Sequence, residues 1–167
     1  MARTFWPGTN KKKTKQTKDK MKLPEIQIQI LKEGAVIPEY KTQGAAGMDL
    51  SACLTENLIL PHGEVVFVPT GLAMAIPEGY EGQIRPRSGF STKNRILMPN
   101  SPGTIDSDYR GEILIPLLNL SGADFVLEPG TRVAQMVLHS VAQLPIQVVA
   151  ELSATERGAG GFGSTGK

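Results

Sequence analysis

The sequence predicts an all-β fold with one short helix, and three observations carry that prediction. Apolar residues come in short runs with no sustained helical period. Those runs are mostly β-branched or aliphatic and bounded by Pro or Gly, and twelve prolines are scattered along the chain. At 167 residues the length fits one domain, large enough to bury a core.

Taken in order, Ile26, Ile28 and Ile30 alternate with polar residues, the period of a strand with one covered face. Ala45-Ala-Gly-Met-Asp-Leu50 places a single carboxylate, Asp49, on an otherwise apolar strand. Val65–Val68 and Leu72–Ile76 follow as short apolar runs, and a helix is expected from near Ser88 to just before Arg95. Gly103-Thr-Ile-Asp-Ser-Asp-Tyr-Arg-Gly-Glu112 combines turn residues, an acid and a ring immediately before Ile113–Leu117. It reads as a hairpin feeding a buried strand, with Asp106 and Tyr109 at its tip. Val133–Leu138 completes the set.

Cys53, the single cysteine, cannot make an internal disulfide and reads as a small core residue. That points to a reducing compartment and a cytoplasmic location. His62 and His139 lack metal-ligand spacing, which argues against zinc. No run approaches the roughly eighteen apolar residues of a membrane-spanning helix, and no signal-peptide hydrophobic region precedes the domain. No membrane partner is expected.

Charge is uneven. Residues 1–22 hold eight Lys or Arg against one acid, Asp19, while the whole chain carries +2. This segment has almost no apolar periodicity and is expected to be a disordered basic extension. It reads as a solvated tail, or as one making weak, non-specific contact with nucleic acid; no nucleic acid is required. The other end, residues 151–167, is expected to be a flexible arm, leaving 23–150 as the folded domain. Its last stretch, Arg157 to Lys167, contains five glycines. Gly158 to Gly163 matches a dinucleotide fingerprint, but no helix follows, and the P-loop-like Gly161 to Lys167 stops where its helix would begin. The arm does carry Arg157 for a phosphate, Phe162 for a ring face, and Ser164 and Thr165 as donors beside the Gly163 amide. Such a strand suits closure over a nucleotide.

Arg85-Pro-Arg-Ser-Gly89 sets two guanidinium groups and a hydroxyl at a helix start, and Thr131-Arg-Val-Ala-Gln135 adds Arg132 and Gln135. Together these segments supply cations for phosphates, carboxylates for a metal and a base, and rings for a nucleoside. The order AAGMDL, RPRSGFS, NSPGTIDSDYRGE, RVAQ and RGAGGFGSTG, from about Leu23 to Lys167, resembles the homotrimeric dUTPase family, with no departure at a chemically essential motif position.

The resemblance implies a jelly-roll-like β-barrel protomer and a homotrimer with shared active sites. It implies hydrolysis of dUTP to dUMP and pyrophosphate with Mg²⁺, which limits uracil incorporation into DNA and supplies dUMP for dTMP synthesis. By the same resemblance Asp106 is the base that orients the attacking water, and Asp49 holds Mg²⁺ through water. Asn100 and the backbone of Gly103, Thr104 and Ile105 read uracil, and Tyr109 packs under deoxyribose. Arg87, Ser88, Gly89 and Gln135 contact phosphates. Arg157, Gly163, Ser164 and Thr165 hold the terminal phosphates, and Phe162 stacks on uracil. Arg110 and Arg132 are expected to be structural or interface charges. A deoxycytidine triphosphate deaminase would share the protomer fold, and a non-catalytic nucleotide sensor is a further alternative. The IDSDYRGE string and the intact arm favour the hydrolase over both.

Overall fold

The computed structural model describes residues 24–161, and eleven strands and one helix make up its regular structure. In chain order these are β1 (Gln27–Ile30), β2 (Gly47–Ser51), β3 (Leu58–Leu60), β4 (Val65–Pro69), β5 (Leu72–Ala75), β6 (Tyr80–Pro86), α1 (Ser88–Asn94), β7 (Ile96–Leu97), β8 (Gly103–Ile105), β9 (Leu114–Asn119), β10 (Phe125–Leu127) and β11 (Arg132–Ser140). The all-β expectation holds, and the helix spans the residues that the sequence marked for it.

All strand pairs are antiparallel. They form a four-stranded sheet in the order β2-β11-β6-β8, a three-stranded sheet β4-β9-β7, and the pairs β1-β5 and β10-β3. Period-2 alternation sends Met48 and Leu50 of β2, Ile84 of β6 and Met136 of β11 into the core. It leaves Asp49, Arg85 and Gln135 on the opposite face. A register shift between Arg132 and Ala134 lets two consecutive residues, Val133 and Ala134, be buried, and it turns Arg132 toward β2. The remaining sheets and loops close the core with Leu60, Val68, Leu72, Met74, Ile113, Ile115, Leu117 and Leu127. Helix α1 docks through Phe90, whose ring meets Phe125 edge-on at 6.1 Å.

In one respect the structure departs from the sequence reading. Gly103–Glu112 is not a paired hairpin. β8 pairs with Gly82–Ile84 of β6, whereas β9 pairs with β4 and β7 in another sheet. The chain turns at Asp106, where the Tyr109 amide donates to the Asp106 carbonyl at 3.2 Å, and crosses between sheets. β6 pairs with β11 on one side and takes β8 on the other, which leaves β8 as the edge of that sheet.

The turn between β4 and β5 is the best-anchored loop of the barrel. The buried Thr70 hydroxyl donates to the Ile113 carbonyl at 2.7 Å, and the Ile113 amide donates to Leu72 at 2.9 Å. Between them Gly71 has φ +68°, and a Cβ there would lie 2.8 Å from Cys53 Sγ and 2.9 Å from Ala35 Cβ. Left-handed strain and overpacking act together. Gly71→Ala is therefore expected to cost about 2–4 kcal/mol, read as a lower urea midpoint at fixed protein concentration. A midpoint unchanged from wild type would show that the turn relaxes freely.

Cys53 is buried and unpaired, its Sγ 3.5 Å from the Glu33 carbonyl, which is the core role expected of it. Among the described residues no helix is long and apolar enough to cross a membrane.

Candidate active site

The expected site residues fall into two groups on one chain. The first lies around β8 and the turn after it. Gly103 is buried, and the Asn100 side chain folds over it: a Cβ on Gly103 would sit 3.0 Å from Asn100 Nδ2, so any larger residue would push that amide aside. The Ser101–Pro102 bond in this loop is cis. Thr104 and Asp106 are exposed, and Ile105 is half-buried. Among the described residues no hydrogen bond or ion pair engages the Asp106 carboxylate or the Asn100 amide, so both are available to a ligand.

Tyr109 is 41% exposed, and its hydroxyl donates to the Glu112 carbonyl at 3.0 Å. Arg110 closes the same turn by donating to the carbonyls of Ser107 at 2.7 Å and Tyr109 at 2.8 Å. A cavity of about 310 Å³ opens here, lined by Phe67, Thr104, Ile105, Asp106, Tyr109 and Leu114, with Glu112 at its base. On the other side of the turn a larger cavity of about 750 Å³ is lined by Glu78, Glu81, Asp106 and Asp108 among others. Its four carboxylates outnumber the one guanidinium of the lining, Arg110, and disfavour a polyphosphate. The smaller cavity, with a ring, apolar walls and one free acid, is the better nucleoside seat.

The second group sits on the outer face of β2 and β11 and at the start of α1. Asp49 Oδ1 accepts from Arg87 Nε at 2.7 Å, and Oδ2 accepts from an Arg132 terminal nitrogen at 2.8 Å. Arg87 also donates to the Arg132 carbonyl at 3.1 Å. Asp49 is thus held by two guanidinium groups, those of Arg87 and Arg132. Ser88 and Gly89 lie exposed beside Arg87 in the first turn of α1, with Arg87 itself as the N-cap residue. Gln135 faces Asp49 across the β2–β11 ladder and donates to the Pro86 carbonyl at 3.0 Å. Every expected phosphate contact from the body of the domain is therefore in this second group.

The two groups do not meet on one chain. Ile84 pairs with Gly103, Arg85 with Gln135, and Gln135 with Asp49, so three strand spacings separate β8 from β2. With about 4.8 Å between strands and 3.3 Å per residue along them, the Cα atoms of Asp49 and Asp106 are roughly 20 Å apart. The half-buried side chains of Gln83, Arg85, Gln135 and His139 fill the face between. Arg85 donates to Gln83 at 2.7 Å and lies 2.7 Å from His139 Nε2.

Of the terminal segment, Arg157 is exposed and donates to the Gly160 carbonyl at 2.8 Å. Phe162, Gly163, Ser164 and Thr165 lie outside the described residues, as do residues 1–22. Sequence reasoning missed Lys32, Phe67, Gly71, Gly111 and Leu114, and gave Glu112 no role. Only Gly111 and Glu112 carried a signal, standing next to Tyr109 and Arg110 in one motif.

A family model described as dUTPase matches residues 33–166. A deoxyuridine 5'-triphosphate nucleotidohydrolase of Leptospira interrogans is 54% identical over 143 residues, covering 85% of this chain and 99% of its own length. The enzyme of the same name from Fusobacterium nucleatum is 48% identical over 146 residues, covering 87% of this chain and 100% of its own. Among solved structures, the dUTPase of Staphylococcus bacteriophage 80alpha with dUPNHPP superimposes with a TM-score of 0.78 at 27% identity, over 87% of this chain and 100% of that one. A mutant dUTPase from phage phi11 of S. aureus, described as coordinating a structural Mg(II) ion, gives a TM-score of 0.69 at 25% identity, over 77% of this chain and 98% of that one.

Proposed function

The chain belongs to the dUTPase family, and on that premise we propose that it hydrolyses dUTP to dUMP and pyrophosphate at sites assembled between the chains of a homotrimer. The observation that carries the shared site is the separation of Asp106 from Asp49. A base holding a water and a metal held through water, both acting on one phosphate, are linked by a bent chain of contacts about 10 Å long. One chain sets the Cα atoms of the two residues roughly 20 Å apart, so even with both side chains turned toward each other the carboxylates stay about 15 Å apart. A second copy brings the Asp49 group of one chain to the Asp106 cavity of another.

The roles follow from what each side chain is free to do. The unengaged Asp106 carboxylate accepts a proton from water as that water attacks the α-phosphate. Tyr109 lies flat against its own turn and offers a ring face to deoxyribose. Asn100 and the β8 backbone present donors and acceptors to uracil. Arg87, Ser88, Gly89 and Gln135 face the phosphates, and Arg157 with Gly163, Ser164 and Thr165 holds the terminal ones, while Phe162 covers the base.

Asp49 suits an outer-sphere role toward Mg²⁺. Each of its oxygens takes one guanidinium hydrogen bond and keeps a lone pair for a metal-bound water. Among the described residues no group of three or more His, Cys, Asp or Glu side chains is placed to bind a metal directly. When bound, the ion fixes the phosphate chain and draws charge from the leaving pyrophosphate. The products remove uracil nucleotide from the pool open to DNA synthesis and supply dUMP for dTMP. A cytoplasmic location belongs to the same reading, supported by the unpaired Cys53 thiol.

Assembly is supported by residues 141–152. Leu144, Ile146 and Val148 alternate along a stretch with no strand partner among the described residues, and are 80%, 94% and 94% exposed. That is the pattern of a strand that adds to another molecule. Replacing Ile146 and Val148 by Lys would cost nothing on an isolated chain. In the assembly it is expected to raise the dissociation constant by at least about tenfold, measured by sedimentation. An unchanged constant would remove this segment from the interface.

Incubation with dUTP and, separately, with dCTP tests the activity. Pyrophosphate from dUTP with no ammonia from dCTP is expected. Ammonia release would replace the hydrolase by a deaminase, and silence in both assays would leave a sensor.

A further inference from the structure

We propose that Glu112 is a positioning residue for Tyr109, and that its carboxylate, bound to the Gly71 amide, sets how far the ring reaches into the nucleoside cavity. The inference rests on the reading of Tyr109 as the ring under deoxyribose.

Among the described residues the Tyr109 hydroxyl has one hydrogen-bond partner, on its own turn. It donates to the Glu112 carbonyl, and the ring folds back on Gly111 so closely that a Cβ there would lie 2.3 Å from the hydroxyl oxygen. The other face borders the cavity. The ring is therefore placed as well as the Gly111–Glu112 backbone is placed. That backbone is tied to the core through the Glu112 side chain, whose Oε1 accepts from the Gly71 amide at 2.9 Å and from Lys32 Nζ at 3.1 Å, while Oε2 pairs with Lys32 at 3.0 Å. Gly71 cannot drift, because its carbonyl accepts from the Leu31 amide at 2.8 Å and its Cα is packed against Cys53 and Ala35. The next residue, Ile113, is bonded to Thr70 and Leu72. Three separate segments, around residues 32, 71 and 112, thus converge on one carboxylate next to the ring.

Excluding a 2′-hydroxyl by contact requires the ring to hold its position to a fraction of an ångström, because the repulsive wall is steep. The hydrogen bond to Gly71, more than the charge opposite the half-exposed Lys32, supplies this, since exposed ion pairs contribute little. Glu112 acts through Tyr109 and touches no reacting atom.

The test separates geometry from charge in the full-length assembly. Glu112→Gln keeps an oxygen at the length that reaches Gly71 and loses the charge. Glu112→Asp keeps the charge and is one methylene short. Glu112→Gln is expected to hold the dUTP-over-UTP ratio of kcat/KM within about twofold of wild type. Glu112→Asp is expected to lower it about fivefold to tenfold, the scale of one hydrogen bond, mostly through KM. The protein has three tyrosines, so in 3-fluorotyrosine-labelled protein the Tyr109 resonance, assigned with Tyr109→Phe, should move in the Asp variant and stay in the Gln variant. Should Glu112→Asp fail to assemble, Gly111→Ala displaces the same ring from its other contact and is expected to give the same loss. A Gln variant as impaired as the Asp variant, or an Asp variant with wild-type selectivity or an unmoved resonance, overturns the proposal. Tyr109→Ala is the control: if it leaves the ratio intact, the sugar reading itself has failed and the proposal goes with it. If Tyr109→Ala lowers the ratio and Glu112→Asp does not, the failure belongs to the Glu112 contact alone.

Discussion

Asp106→Asn is expected to slow dUTP turnover by about 10²–10⁴, the scale of losing a general base, with KM within a few-fold of wild type. The residue differs from the other site acid in one decisive way. Asp49 has both oxygens committed to Arg87 and Arg132, whereas the Asp106 carboxylate is exposed and unengaged among the described residues. The Asp106 lone pairs are open to a water, whereas two of those on Asp49 are taken by guanidinium groups and the others face the proposed metal-bound waters. Asparagine keeps the size and one acceptor and cannot take the proton, so binding survives while chemistry fails. The comparison of kcat and KM for the two proteins, with the oligomer verified, decides it. A variant turning over at near the wild-type rate would move the base elsewhere.

The second expected result is recovery of activity when two inactive chains are mixed. Asp49→Asn removes the acid that organises Arg87 and Arg132, and Asp106→Asn removes the base, so each homotrimer should be nearly inactive. If a site takes Asp106 from one chain and Asp49 from the next, some sites in a mixed trimer receive both intact residues. A trimer that holds both kinds of chain has one site of three with both intact residues, so about a third of wild-type turnover should return in the purified mixed trimers. Two affinity tags purified in series ensure that mixed trimers are assayed. If both acids acted from one chain, every site would carry a defect and no activity would return. The register of β8, β6, β11 and β2 argues against that outcome.

Much of the architecture was legible because strands announce themselves locally. Alternation at Ile26, Ile28 and Ile30, and the short aliphatic runs at Val65, Leu72 and Val133, depend only on side chains two residues apart facing the same way. The helix from Ser88 to Asn94 was legible for a similar reason, lying between the Pro86 that ends β6 and the left-handed Arg95. The ordered motifs carry the roles proposed for Asp106, Tyr109, Asn100 and Gln135, since each sits in a short, distinctive string.

What the sequence by itself determined, then, is the set of elements and the residue types available for chemistry, because both are written in near-neighbour spacing. The tertiary structure alone decided which of those residues stand together. It paired Asp49 with Arg87 and Arg132, 38 and 83 positions away, and it sent β8 to β6 where local pattern suggested a hairpin. It joined Lys32, Gly71 and Glu112 at one point and kept Asp106 apart from Asp49. Hydrogen bonds and ion pairs between distant segments are fixed by which strands become neighbours, and strand order in a barrel is a global packing solution to which no single stretch of the chain is a guide.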